Sequence, residues 1–372
     1  MIDLATALAE YEAWMREHLP VVDEGGLAEK ASAIADSAFA FLRGNFPWWL
    51  VRWREHERDF ADAPAVVAVG DLHVENFGTW RDAEGRLIWG INDFDEAYPL
   101  PVAHDLIRLA VSARLAIEEE RLFYDPDEAV KDILRGYRAA LARGGRHFIL
   151  ETDDLDWLRR LAKRQLRSNS GFWRRSERWL PSGREDKTAI ALLRAQLEQR
   201  DGAELLRVAS RRAGIGSLGR PRVVALASWR GGLIAREAKA LLPSAVCWLR
   251  REKGDPLALI RRIEANAIRS HDPCRVLTPK WLVRRLSPES DKIDLRKSLG
   301  DDDASRLLEA MGQEVANVHL GTAHEPEAII AWLDRRPKKW LVEISEVLGD
   351  AITDDWRDYV RALKPAKLRN AG

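Results

Sequence analysis

The apolar pattern of this chain changes period twice, and that change limits the folds open to it. Up to about residue 200 the apolar residues recur mostly at helical spacing: Leu4, Leu8 and Tyr11, then Ala31 to Leu42, then HDLIRLAVSARLAIEEE, DEAVKDILRGYRAALARGG and DLDWLRRLAKRQL. Near residue 205 strand-like runs take over. RVASRRAGIGSLGRPRVVALASWRGGLIAREAKA holds a glycine-rich loop and a second turn at Arg230, Gly231 and Gly232. A helical stretch, DPLALIRRIEANAIRS, and two strand-like runs, CRVLTPK and WLVRRL, complete that segment before helices resume at about Ala304. The order predicts an α+β chain in three parts: a large helical lobe over residues 1–204, a small α/β lobe over 205–290, and helices over 291–372 that return to the large lobe.

Within the first part, PAVVAVGDLH reads as a short strand ending in a polar loop, and NFGTWRD, the turn AEG and RLIWGIND read as a hairpin. In GDLHVENFG, Asp71 and Asn76 lie five residues apart, and Asp93 follows Asn76 by seventeen at the end of the hairpin. One hairpin can therefore gather all three. Phosphoryl transfer needs a carboxylate near the incoming hydroxyl and hard oxygen ligands for Mg²⁺, because it depends on positioning and charge neutralisation. Asp71 suits the first role; Asn76 and Asp93 suit the second, with Asp95 as a further candidate ligand. The plainer alternative makes Asp71 and Asn76 turn or capping residues and NDFDE a solvated loop.

The composition narrows the partners. With 372 residues, 46% hydrophobic and 32% charged, the chain is long enough for two cores. Lys+Arg and Asp+Glu are both 59, so no net field draws it to nucleic acid or an anionic membrane. The basic run LRRLAKRQLRSNSGFWRRSERW fits a solvated helix face better than a nucleic-acid surface, since no recognised module accompanies it. Only Cys247 and Cys274 are present, the N-terminus lacks an apolar signal core, and no apolar run approaches the ~18 residues of a membrane span. A reduced, cytoplasmic protein is the expectation. The fifteen Trp follow no repeat and read mostly as core.

GDLHVENFG followed by INDFDEAYPLPVAHDLIRLA resembles the aminoglycoside-phosphotransferase branch of the protein-kinase-like superfamily. The resemblance makes Asp71 the catalytic-loop carboxylate, His73 its companion two residues on, and Asp105, twelve residues beyond Asp93, the brace of that loop. It also implies ATP, Mg²⁺ and a small-molecule hydroxyl acceptor. AFAFLRGNF, GDLHVENFG, NDFDEAYPLPVAHDLIRLA, GIGSLG, REA and VRRL, in this order, are similar to the bacterial domain-of-unknown-function 2252 family from about residue 37 to 360. In AFAFLRGNF, Phe39 and Phe41 should pack, while Arg43 either approaches the acidic centre or closes a helix C-terminus.

Gly214, Gly216 and Gly219 fit GxGxxG, with Ser217 in the loop. A dinucleotide site would open a helix here, but Pro221 and RVVALAS follow, which favours a kinase-like phosphate cover between strands. Arg236, twenty-two residues after Gly214, stands at the spacing of the kinase lysine, either touching phosphate or forming a structural ion pair. On that assignment Lys239, at an odd offset, faces the other way. Glu264 on the following helix is the candidate partner of Arg236, or else part of a solvated face. Because Asp71 precedes Gly214, the kinase order is inverted, and a circularly permuted kinase-like fold is expected, with Gly214 to Gly219 close to Asp71 and Asp93. LLEAMGQEVANVHLG resembles the helix leading into the catalytic loop of aminoglycoside phosphotransferases, and His319 within it reads as structural. The expected activity is ATP- and Mg²⁺-dependent phosphotransfer. The rivals are a metal-dependent phosphoesterase built on Asp71, His73, Asp93, Asp95, His104 and Asp105, a nucleotidyltransferase, and a nucleotide-binding pseudoenzyme suggested by Arg236.

Overall fold

Polar caps set where the first helices begin. In this computed structural model, which describes residues 2–119, 124–166, 168–179, 185–290, 292–295 and 300–369, Asp3 caps α1 (Leu4–His18) by accepting from Thr6 N at 3.0 Å. Asp23 caps α2 (Glu24–Ala33) through Gly26 N, and Ser37 caps α3 (Ala38–Gly44) through Ala40 N, each at 3.0 Å. Each cap satisfies an amide that the helix itself leaves without a partner. α4 (Phe46–His56) carries Pro47 in its first turn, where the missing N–H costs nothing. Arg167 of the basic run, and residues 180–184 of the stretch read as helical, lie outside the described residues.

Four short strands follow: β1 (Ala65–Ala68), β2 (Phe77–Arg81), β3 (Leu87–Ile91) and β4 (Tyr98–Pro101). β2 and β3 form the hairpin that the AEG turn predicts, with Phe77 opposite Ile91 and Arg81 opposite Leu87. β4 pairs antiparallel with β1; its Pro99 and Pro101 lack ladder donors, so the residue pattern does not announce it. α5 (Val102–Glu119) is buried at every position from Val102 to Ile117, and such a helix belongs at the centre of a core. α6 (Pro126–Arg143) runs from an Asp125 cap to Gly144, which takes the left-handed conformation at φ 74°. α7 (Asp156–Gln165), α8 (Asn169–Ser176) and α9 (Lys187–Glu198) lead to the second sheet.

That sheet is built from β5 (Glu204–Ser210), β6 (Arg222–Trp229), β7 (Gly232–Ala240), β8 (Val276–Leu277) and β9 (Trp281–Leu286), in the antiparallel order β5-β6-β7-β9-β8. α10 (Ala245–Arg250) and α11 (Pro256–Asn266) connect β7 to β8. One sheet face packs Val223, Ala225, Ala227, Ala238, Ala240 and Val283 against Ala189, Leu193 and Leu197 of α9. Side chains alternate along a strand, so Arg222, Glu237, Lys239 and Arg284 point to the other face, toward the loops after β1 and β3.

α12 (Asp301–Thr322), α13 (Pro326–Asp334) and α14 (Trp340–Arg369) close the helical region. α12 crosses α6 at two glycines: a Cβ on Gly312 would lie 2.0 Å from Ile133 O, and one on Gly136 would lie 2.0 Å from Glu309 O. The architecture is mixed α+β. Among the described residues no helix is long and apolar enough to cross a membrane.

Candidate functional site

The loop after β1 is held from below. Val69 N and Gly70 N donate to Asp105 Oδ2 and Oδ1 at 2.7 and 3.0 Å. Gly70 has φ 81°, and a Cβ there would stand 2.2 Å from Glu96 O, so only glycine makes the bend that delivers Asp71 to the cavity. Asp105 also meets His319 Nε2 at 3.1 Å and His104 Nδ1 at 3.4 Å, and Tyr137 OH meets His319 Nδ1 at 2.8 Å. Burial alone would raise the Asp105 pKa, but the hydrogen bonds from His104 and His319 outweigh it and hold the carboxyl well below the usual range. His319 is thus a buried structural residue, as the sequence suggests.

Asp71 pairs with Arg108, a fully buried guanidinium lying over Phe46 and Trp49 at 4.9 and 5.0 Å and donating to Leu42 O at 3.0 Å. Asn76 Nδ2 donates to Asp71 O at 3.2 Å, closing the five-residue loop on itself. Its Oδ1 is buried and has no hydrogen-bond partner. Asn92 N donates to Asn76 O at 3.0 Å and ties the hairpin end, with Asp93, to this loop. His73 is buried and accepts from Glu75 N at 3.2 Å through Nδ1. Burial first, then Arg43, Lys292 and Arg108, press its pKa well below the ordinary imidazole value, so the ring is neutral. Phe39 and Phe41 are core, and Arg43 pairs with Glu75 at 2.7 Å on the cavity wall.

From the sheet, Lys239 Nζ reaches Asp93 Oδ2 at 3.0 Å and also bonds Asp95. Desolvation works against an ionised Asp93, yet Lys239, the Asp95 hydrogen bond and Arg222 hold its pKa well below the usual range. Asp95 moves the opposite way, raised by burial and by the Asp93 charge. The negative charge of the pair therefore resides first on Asp93. Arg220 backs this corner, 3.5 Å from Asp95 and 2.5 Å from Glu96. Farther along the cleft face, buried Glu237 takes Arg222 at 2.9 Å, Arg284 at 2.7 Å and Arg211. Burial would raise its pKa, but the three guanidinium groups hold it well below the carboxylate range.

Three sequence assignments need correction. Arg236 lies on the sheet face away from the cavity, donating to Ala235 O at 2.9 Å and meeting Cys274 Sγ at 3.4 Å, and Lys239 takes the cleft position. The odd offset was right, but the reference residue was wrong: apolar Ile234, Ala238 and Ala240 share the parity of Arg236 and mark the buried face. Glu264 lines the cavity and pairs with Arg275, not Arg236. Gly219 packs outside the cavity against α2, where a Cβ would meet Leu27 at 2.3 Å. Gly214, Gly216 and Ser217 do line the cavity. A Cβ on Gly216 would lie 2.9 Å from Arg43 O and 3.4 Å from Asp71 Oδ2, so the bare backbone is what allows this loop to touch the Asp71 loop. Ser217 Oγ accepts from Arg222 Nη2 at 2.6 Å.

Asp71, His73, Asn76, Asp93, Asp95 and Lys239 share with the glycine loop one cavity of about 410 Å³. Sequence reasoning missed Arg108, Arg220, Arg222, Glu237 and Arg284; an arginine inside the apolar helix HDLIRLA was a signal for the first. Among the described residues no group of three or more His, Cys, Asp and Glu side chains is placed to hold a metal. His104 and Asp105 lie in the core and do not line this cavity. The open oxygen of Asn76 and the ionised Asp93 fit a hard cation that completes its shell with water and phosphate, as Mg²⁺ does.

No curated protein and no solved structure matches the chain. Residues 23–179, which carry Arg43, Asp71, Asn76, Asp93 and Asp105 and stop short of the glycine loop, match the family described as an uncharacterized protein conserved in bacteria, DUF2252. Over that segment the chain is similar to DUF2252.

Proposed function

We propose that this protein is an ATP- and Mg²⁺-dependent phosphotransferase of protein-kinase-like design in circularly permuted order, acting on the hydroxyl of a small molecule. The observation that carries the reading is convergence: Asp71, Asn76, Asp93, Lys239 and the glycine loop line one cavity, although more than a hundred residues separate the two halves in the chain. The 3.4 Å from the Gly216 Cβ position to Asp71 Oδ2 is the closeness that a permuted order requires. The sheet supports it too, since the glycine loop joins its first two strands in chain order and Lys239 stands on the third, as in kinases.

In this mechanism Asn76 and Asp93 would hold the metal, which when bound would supply charge neutralisation on the transferred group. Asp71, aimed by Arg108, accepts a hydrogen bond from the acceptor hydroxyl and takes its proton as transfer proceeds. Lys239 exchanges part of its contact with Asp93 for phosphate oxygens, and the backbone of Gly214 to Ser217 covers them. His73, neutral, supports the loop through its bond to Glu75 N. Lys239 at the cleft removes the residue-level ground for a pseudoenzyme, which was Arg236.

Calorimetric titration of ATP with Mg²⁺ into wild type and Asp93→Ala, followed by mass analysis of the nucleotide products, tests the proposal. Metal-dependent binding lost in Asp93→Ala, with ADP formed, is the expected result. Pyrophosphate as product would reassign the chemistry to nucleotidyl transfer, and no binding by wild type would overturn the reading.

A further inference from the structure

We infer that the donor is recognised by its phosphate chain and not by its base: the cleft face of the five-stranded sheet is a polyanion site for a triphosphate. This rests on the phosphotransfer reading above and deepens it. Register places Arg222 opposite Lys239 and Glu237 opposite Arg284, so cations occupy adjacent strands on one face, and Arg211 lies three residues before Gly214. Arg222 is 6% exposed; its two terminal nitrogens reach Glu237 and Ser217 Oγ, and its buried Nε has no hydrogen-bond partner. Against Arg211, Arg222, Arg284 and Lys239 stand Glu237 within the cluster and Asp93 and Asp95 across the cavity, which leaves one surplus positive charge before any metal is counted. Surplus buried charge is costly unless an anion meets it, and a chain of phosphates offers planar guanidinium groups several bidentate partners.

The rest of the cavity has little to offer a base. The apolar part of the same face, Val224, Leu226, Ala235 and Leu286, is already covered by Phe172 of α8, with Trp173 and Trp179 packed against it. Trp80 and Phe94, the other aromatic side chains of the wall, lie under the Arg269 guanidinium at 4.6 and 5.0 Å. A nucleobase needs a flat apolar slot, and these surfaces are occupied by the protein itself.

The test titrates wild-type protein, in Mg²⁺, with ATP, GTP, inorganic tripolyphosphate and adenosine. The expectation is that the three triphosphates bind within about tenfold of one another and adenosine does not bind. Arg284→Gln should weaken all three alike, by about tenfold; the wild-type series stands alone if this variant fails to fold. ATP tighter than tripolyphosphate by more than about tenfold, or binding of adenosine alone, overturns the inference and leaves phosphotransfer standing. No binding of any triphosphate overturns both.

Discussion

The two sides of the cavity bury charge in opposite ways. Beneath the Asp71 loop, Asp105 meets two backbone amides and two histidines, and Arg108 is sealed between aromatic rings and Asp71. Across the cavity, Glu237 faces three arginines and Lys239 faces two carboxylates. The lower arrangement uses directional hydrogen bonds to fix backbone, while the upper one uses charge that a ligand can share. On the function proposed above, the first would serve as a fixed platform for Asp71 and the second as a ceiling whose charge a bound anion shares.

Breaking the platform should have the largest effect. Asp105→Ala strips partners from Val69 N, Gly70 N and His319 in a dry core, with an expected loss on the order of 3–5 kcal/mol in denaturant unfolding. A loss under about 1 kcal/mol would erase the contrast between the two sides. Lys239→Ala, on the ceiling, should instead lower triphosphate affinity by about 10–100-fold, the equivalent of one charge-assisted contact, with little change in unfolding midpoint. Calorimetry and thermal melts of the same samples separate the two behaviours.

Acid should expose the platform in two windows. Both shifts are depressions, so below the unfolded-state pKa the unfolded chain takes up a proton that the folded chain refuses, and stability falls with pH. His73 and His104, each lowered chiefly by burial, begin to act as pH drops below 6.5. Asp105 acts only below 3.8. Unfolding free energy measured from pH 8 to 3 should therefore decline first near neutrality, and His73→Gln should shrink that first decline but not the acid one; an unchanged profile would show that His73 is no part of it. The smallest effect is expected for Arg236→Gln. Pointing away from the cavity, it should leave triphosphate affinity within about twofold and cost about 1 kcal/mol of stability. An affinity loss matching that of Lys239→Ala would reverse the assigned strand faces.

Much of this was legible because it is local. The change from helical to strand period announces the α+β order, the AEG turn announces the β2–β3 hairpin, and GDLHVENFG with NDFD places carboxylates and an amide where strands end. Period and turn chemistry act over a few residues, so a sequence carries them openly. The choice between Arg236 and Lys239 depended on which face of β7 meets α9, and that is settled by packing of Ala238 and Ala240 against residues about fifty positions earlier. Glu264 found Arg275 for the same reason: an ion pair forms with whatever cation the fold delivers, not with the one that spacing suggests. Sequence alone determined most of the elements, though not β4, and the residues of the acidic loop; tertiary structure decided which charges share the cavity, because strand parity becomes a direction only once one face is buried.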